Sequence, residues 1–208
     1  MYLPHHFAET RPEILHALIH ENPLGTLITE ADGSPVADEI PFVLDRTRNV
    51  LLAHLARANP LSKMHPPERR VLVVFRGPQA YVSPAWYPGK AEHGRVVPTW
   101  NYVIAQAVGQ MSMVDDPAWL RAQLETITTR QESGRTAPWQ VADAPEDFVT
   151  QQMKGIIGIE IAIETLTGKW KASQNRSAPD RAGVAAGLGA EATESARQMA
   201  QIIQQSPP

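Results

Sequence analysis

The stretch LGTLITEADGSPVADEIPFVL, residues 24–44, is built to turn back on itself: two β-rich runs flank Asp32–Gly33, a pair that tolerates the positive φ of a two-residue hairpin. So short a link leaves no room for the crossover helix that parallel neighbours require, so the two strands must run antiparallel. The same restriction returns at Gly77–Pro78, where RVLVVFRG meets QAYVS and a second tight turn is expected. NVLLAHLA, residues 49–56, adds a further strand. Residues 97–114, VPTWNYVIAQAVGQMSMV, read as one long strand, with Trp100, Tyr102, Ile104 and Val108 on one parity and Thr99, Asn101, Ala105 and Ala107 on the other. In IIGIEIAIETL the residues Ile157, Ile159, Ile161 and Ile163 alternate with Gly158, Glu160, Ala162 and Glu164. Six or seven strands, joined mostly by tight turns with helices inserted singly, predict a mainly β, antiparallel barrel with added helices rather than a βαβ sheet.

Helix signals are few and local. Thr10 and Glu13 are spaced as a capping box, and Ile14, Leu15, Leu18 and Ile19 recur at helical spacing up to Asn22–Pro23, which predicts a helix over about residues 10–21. Asp116 as N-cap, followed by Pro117, opens another, with Leu120, Leu124 and Ile127 on one face. Residues 132–146 read as a loop and Phe148–Met153 as a short helix. The small-residue stretch Ser177–Gly189 reads as a loop, and a closing amphipathic helix is expected over about residues 191–205, with Ala196, Met199, Ala200 and Ile203 on its apolar face. With 208 residues and no internal repeat, one domain spanning 1–208 is expected.

Composition removes several functions. A net charge of −3 supplies no overall field toward nucleic acid or an acidic membrane. The absence of cysteine excludes disulfides, zinc–thiolate sites and thiol catalysis. No basic start runs into an unbroken apolar segment and no apolar stretch is long enough to span a bilayer, so a cytoplasmic protein without membrane attachment is expected. There is no G-x-S-x-G, P-loop or H-E-x-x-H, and Gly187-Leu188-Gly189 lacks both the preceding strand and the third glycine of a dinucleotide site. His5–His6 is the one adjacent histidine pair and has no carboxylate at ligand spacing, so no metal site is expected.

Three polar clusters remain. In AHLARANPLSKM a strand ending at His54 runs into Arg57, and Asn59–Pro60 is expected to cap a helix; arginine, histidine and free helix N–H groups together suit a phosphate. An ordinary capped helix with Arg57 in solvent fits equally well. Tyr81, Trp86, Tyr87, Trp100 and Tyr102 crowd into 22 positions with Ser83, Thr99 and Asn101 among them, a mixture able to hold a flat heterocycle or to fill a core or subunit interface. In TGKWKASQNR, residues 167–176, Lys169 and Lys171 share a strand parity and Gln174, Asn175 and Arg176 follow; this is either a solvated strand end or the wall of an anionic ligand site.

MYLPHHF, HLARANP, YVSPAWY, VPTWNY and GKWKASQNR occur in this order, and together they resemble the PaiB family of FMN-binding negative transcriptional regulators. The resemblance implies a split β-barrel related to pyridoxamine-phosphate oxidases and flavin reductases, a homodimer, and FMN in a cleft between subunits. On that reading His54, Arg57 and the helix N-terminus after Asn59 lie near the phosphate and ribityl chain. Ser83, Trp100 and Asn101 line the flavin, and Lys171, Gln174 and Arg176 approach the flavin or its phosphate. Besides a flavin carrier or sensor without turnover, two functions are compatible with it. One is a flavoprotein repressor acting through DNA or a partner, although an acidic chain without a reading helix is poorly equipped for DNA. The other is an FMN-dependent oxidoreductase, a flavin reductase or an oxidase of a small or haem-like substrate, in which the flavin carries the redox chemistry and no catalytic residue need appear as a motif.

Overall fold

The computed structural model describes residues 1–31, 33–63 and 69–206. In chain order the elements are β1 (Ala8–Glu9), α1 (Pro12–Glu21), β2 (Leu24–Ala31), β3 (Ser34–Pro41), β4 (Val43–Asp45), β5 (Val50–Ala56), β6 (Arg69–Val82), α2 (Gly89–His93), β7 (Thr99–Val114), α3 (Pro117–Glu132), α4 (Glu146–Met153), β8 (Ile156–Lys171), α5 (Ala178–Gly189) and α6 (Glu194–Gln205). The eight strands form one sheet in the order β3-β2-β6-β7-β8-β5-β4, with β1 paired to β8. The hairpin closes as expected: β2 and β3 pair in register from Leu24↔Pro41 to Ala31↔Ser34, and Gly33 carries φ +75°. Asp32, the other half of that turn, lies outside the described residues.

By internal contacts the chain falls into two compact units, one of Met1–Leu15, Arg76–Ala105 and Thr167–Pro208, the other of His16–Phe75 and Gln106–Leu166. Each is assembled from segments far apart in sequence, and β6, β7 and β8 contribute to both. The second unit is filled by Ile19, Leu27, Phe42, Leu51, Phe75, Met111, Leu120, Ile159 and Ile161, all at most 2% exposed. Phe42 and Phe75 meet edge to face at 5.8 Å, and a Cβ on Gly25 would come within 2.8 Å of the Phe75 ring, so β2 can approach there only as glycine. In the first unit α5 and α6 pack on each other through Val184, Ala185, Leu188, Met199, Ala200 and Ile203.

Two expectations are overturned. No turn forms at Gly77–Pro78; β6 runs straight through it to Val82. Its ladder with β2 covers only Leu72–Val74. At Gln79 the backbone is instead served by one side chain of α6: Gln79 N–H donates to Ser195 Oγ at 2.9 Å, and the same hydroxyl donates to Gln79 O at 2.8 Å. Nor is Ser177–Gly189 a loop; residues 178–189 form α5, with Ser177 Oγ accepting from Asp180 N–H as N-cap. Its small residues serve close packing, because a Cβ on Gly183 would collide with the Trp86 carbonyl and one on Gly187 with the Trp86 ring.

The two parities of β7 divide in an informative way. Asn101, Val103, Ala105, Ala107, Gly109 and Met111 form the buried face, while Trp100, Tyr102, Ile104 and Val108 stay half-buried or exposed. The small residues are inside because β8 lies close: a Cβ on Gly109 would collide with the backbone of Ala162. Among the described residues no helix is long and apolar enough to cross a membrane, and no histidine–carboxylate cluster could hold a metal ion.

Candidate functional site

The strand β8 does not end in solvent. It continues through Lys171 into a turn whose Ala172 and Ser173 are 0% and 3% exposed. Ser173 occupies the left-handed region at φ +62°, a conformation disfavoured for any residue with a Cβ and sustained only when the surroundings enforce it. The enforcement comes from Gln174, whose Oε1 accepts from Ala172 N–H at 2.8 Å and whose Nε2 donates to Trp170 O at 2.6 Å, so that one amide closes the turn from both sides. Arg176 N–H then donates to Ser173 O at 3.0 Å, and its guanidinium sits 5.0 Å from the centre of the Tyr87 ring. Burial pushes the Tyr87 phenol up, partly offset by that arginine.

Asn101, on the buried face of β7, donates through Nδ2 to Ser173 Oγ at 2.9 Å. Its Oδ1 is buried and has no partner, although the side chain is 1% exposed. A buried acceptor left open in this way costs free energy that a ligand donor would recover. Close by, Lys171 Nζ donates to Thr99 Oγ1 at 2.6 Å and to Trp100 O at 2.9 Å, and burial lowers its pKa. Trp100 meets Tyr81 edge to face at 6.1 Å, and both rings are about half exposed, at 49% and 48%. Ser83 caps the single turn Pro84–Trp86, accepting from Ala85 N–H at 3.2 Å. Six of the nine sequence candidates, Ser83, Trp100, Asn101, Lys171, Gln174 and Arg176, thus belong to the first unit. Ser173 joins them. Sequence reading had no signal for it, because its importance lies in a backbone angle and in a partner 72 residues away.

His54, Arg57 and Asn59 belong to the second unit, and each answers to a protein partner. His54 Nδ1 lies 2.8 Å from Oε1 of Gln123, a residue of α3 that is 3% exposed. Opposite His54 on β8 stands Gly158, where a Cβ would collide with the Trp119 ring; α3 therefore roofs the end of β5. Arg57 grips Asp115 with both terminal nitrogens and donates from Nε to Lys154 O at 3.1 Å, which holds the Asp115 carboxyl below its usual range. The pair lines a cavity of about 390 Å³ together with Arg121, Glu146, Met153 and Lys154. Asn59 does act as a cap, accepting from Leu61 N–H at 2.9 Å and donating to Asp38 at 3.0 Å. Of the helix expected there, the described residues show one 3₁₀ turn, Pro60–Lys63; residues 64–68, which follow it, lie outside the described residues.

Residues 1–165 match the family described as "Putative FMN-binding domain". The chain is also 31% identical over 206 residues to the protease synthase and sporulation protein PAI 2 of Bacillus subtilis, covering 98% of this chain and 97% of that one. The chain belongs to this PaiB-type FMN-binding family. An uncharacterised protein of Emericella nidulans is 36% identical over 244 residues, covering 99% of this chain and 97% of its own. Among solved structures, the FAD and heme binding protein from Mycobacterium smegmatis superposes with a TM-score of 0.61 at 20% identity, covering 92% of this chain and 96% of that chain. The flavocytochrome Anf3 from Azotobacter vinelandii gives 0.59 at 16% identity over 84% and 72%. These likenesses place the antiparallel sheet and its helices in the split-barrel fold. The family match ends at residue 165, so the turn carrying Lys171, Ser173, Gln174 and Arg176 lies beyond it.

Proposed function

We propose that the protein binds FMN, and that the first unit supplies the recognition through Asn101 and the turn after β8. The observation that carries this reading is the open Oδ1 of Asn101: a buried amide acceptor, locked in place by Ser173, suits a donor on the edge of a flat heterocycle, and the flavin ring carries such an N–H. Ser83, which caps the turn after β6, offers a hydroxyl, whereas Tyr81 and Trp100 lie on the face of the strands opposite Asn101 and are left to the subunit contact. Arg176, whose guanidinium rests on Tyr87, supplies the positive charge we assign to the phosphate, with Gln174 holding the turn that presents it. Arg57 could meet a phosphate only by giving up Asp115, and His54 and Asn59 would likewise trade protein partners, so we do not draw the phosphate end from them. A bound flavin would supply hydride and electron transfer; the residues of the chain bind it, orient it and shield one edge from water.

The half-exposed bulky face of β7, with Tyr81 beside it, supports a homodimer. Light scattering is expected to give twice the 22.9 kDa chain mass. We propose that any negative effect on transcription is exerted through a partner, because a chain of net charge −3 offers little phosphate neutralisation. The flavin reading is tested by the visible absorption of the purified protein after adding FMN and desalting. A retained flavin band is expected, and a protein left colourless by saturating FMN would refute it.

A further inference from the structure

Lys169 is 7% exposed, yet it is a lysine. Buried ammonium groups are ordinarily neutralised by a carboxylate. Here Nζ donates to the Tyr2 carbonyl at 3.0 Å and otherwise faces the rings of Tyr2 and Tyr102, each 5.4 Å from its centre. Two residues on, and on the same face of β8, Lys171 Nζ lies 6.0 Å from the centre of the same Tyr102 ring. Its hydrogen-bond partners, the Thr99 hydroxyl and the Trp100 carbonyl, are also neutral. Among the described residues no carboxylate comes within ion-pair distance of either lysine. Glu9, which pairs with β8 at Gly168, has both carboxylate oxygens occupied by Arg11. The charge on Lys171 is opposed chiefly by burial, and further by Lys169 and Arg176, with Tyr102 acting the other way. An ammonium carries three donors, so one on Lys171 and two on Lys169 remain beyond the partners named.

We propose that Lys169 and Lys171, arranged around the Tyr102 ring, form an anion subsite for the carboxylate or phosphate of a small ligand other than the flavin. The aromatic faces hold the two ammonium groups without quenching their charge, as a carboxylate would, and the neutral acceptors fix their direction. The ligand's oxyanion completes the donor sets. The subsite itself does not depend on flavin binding; only its place beside a redox centre rests on the proposal that the protein binds FMN.

The test is calorimetric and thermal-shift titration of the full chain with malonate and with inorganic phosphate, flavin-free and riboflavin-loaded, comparing wild type with Lys171→Met and Lys169→Met. Riboflavin lacks the phosphate of FMN, so it separates the two sources of anion. The expected result is saturable binding of at least one probe in both states, weakened about tenfold or more by Lys171→Met, the size of one charge-assisted hydrogen bond. Lys171 is half-buried, so its variant keeps the test sharp even where Lys169→Met fails to fold. Anion binding unchanged in Lys171→Met, or no binding of either probe, overturns the proposal. So does a Lys171-dependent stabilisation by FMN with no response to either probe in riboflavin-loaded protein, since the anion would then be the flavin's own phosphate. Loss of flavin binding alone, with anion binding intact, would overturn the flavin reading and leave this subsite standing.

Discussion

Replacing Ser173 separates the two things that residue does. Ser173→Ala keeps the left-handed backbone but removes the acceptor of Asn101 Nδ2, and because Asn101 is 1% exposed with Oδ1 already unpartnered, the whole amide is then stranded. A buried polar group left unsatisfied costs about 1–3 kcal/mol. Taking about 2 kcal/mol, and about 2–4 °C per kcal/mol for a chain of this size, the melting temperature should fall by about 4–8 °C. Ser173→Gly loses the same hydrogen bond but relieves a left-handed penalty of about 1–2 kcal/mol. The extra freedom of glycine in the unfolded chain takes back about 0.4–1 kcal/mol of that. The glycine variant should therefore melt between wild type and alanine, above alanine by about 0.5–1 kcal/mol. Circular-dichroism melts of the three flavin-free proteins at matched concentration read the order directly. An alanine variant that melts with wild type would refute the Asn101 argument, and a glycine variant below alanine would refute the strain argument.

Packing and charge give two further expected outcomes. In Gly187→Ala the new Cβ would lie 2.5 Å from Cγ and Cε2 of Trp86, so overpacking of about 1–3 kcal/mol should outweigh the gain of about 1 kcal/mol in helix propensity, and thermal denaturation should show a net loss of stability. Glu9 is held below its ordinary pKa of 4.5 chiefly by the Arg11 side chain, against the opposing effect of burial. A depressed folded-state pKa means its stabilisation is present in full above about pH 4.5 and is lost as pH falls through the folded value. Urea denaturation of Glu9→Gln and wild type should therefore differ most near neutral pH and converge in acid; a gap that widened on acidification would contradict the sign.

What the sequence made legible was local. The hairpin around Gly33, the Asp116 cap of α3, the alternation of β8 and the apolar face of α6 each arise from residues within a few positions of one another. The errors lie where a distant residue decides. Gly77–Pro78 carries every mark of a turn, yet the chain runs on there as strand, with Gln79 held by Ser195, 116 positions away. Ser177–Gly189 has the composition of a loop until Trp86 fills the grooves its glycines leave. The same holds for the site. The residue types in GKWKASQNR and in VPTWNY singled out two segments that the Asn101–Ser173 hydrogen bond brings together, but the closure of the turn by Gln174 and the open acceptor of Asn101 depend on contacts no spacing reveals. Arg57 looked available in sequence and is occupied by Asp115, 58 residues away.

The most direct measurement is a titration of FMN into the flavin-free protein, monitored by quenching of flavin fluorescence, with Asn101→Ala and Arg176→Ala in parallel. Saturation at one flavin per chain is expected, with each variant weakened about tenfold or more. Quenching that never saturates, or affinities unchanged in both variants, would contradict the placement of the flavin on Asn101 and the turn after β8.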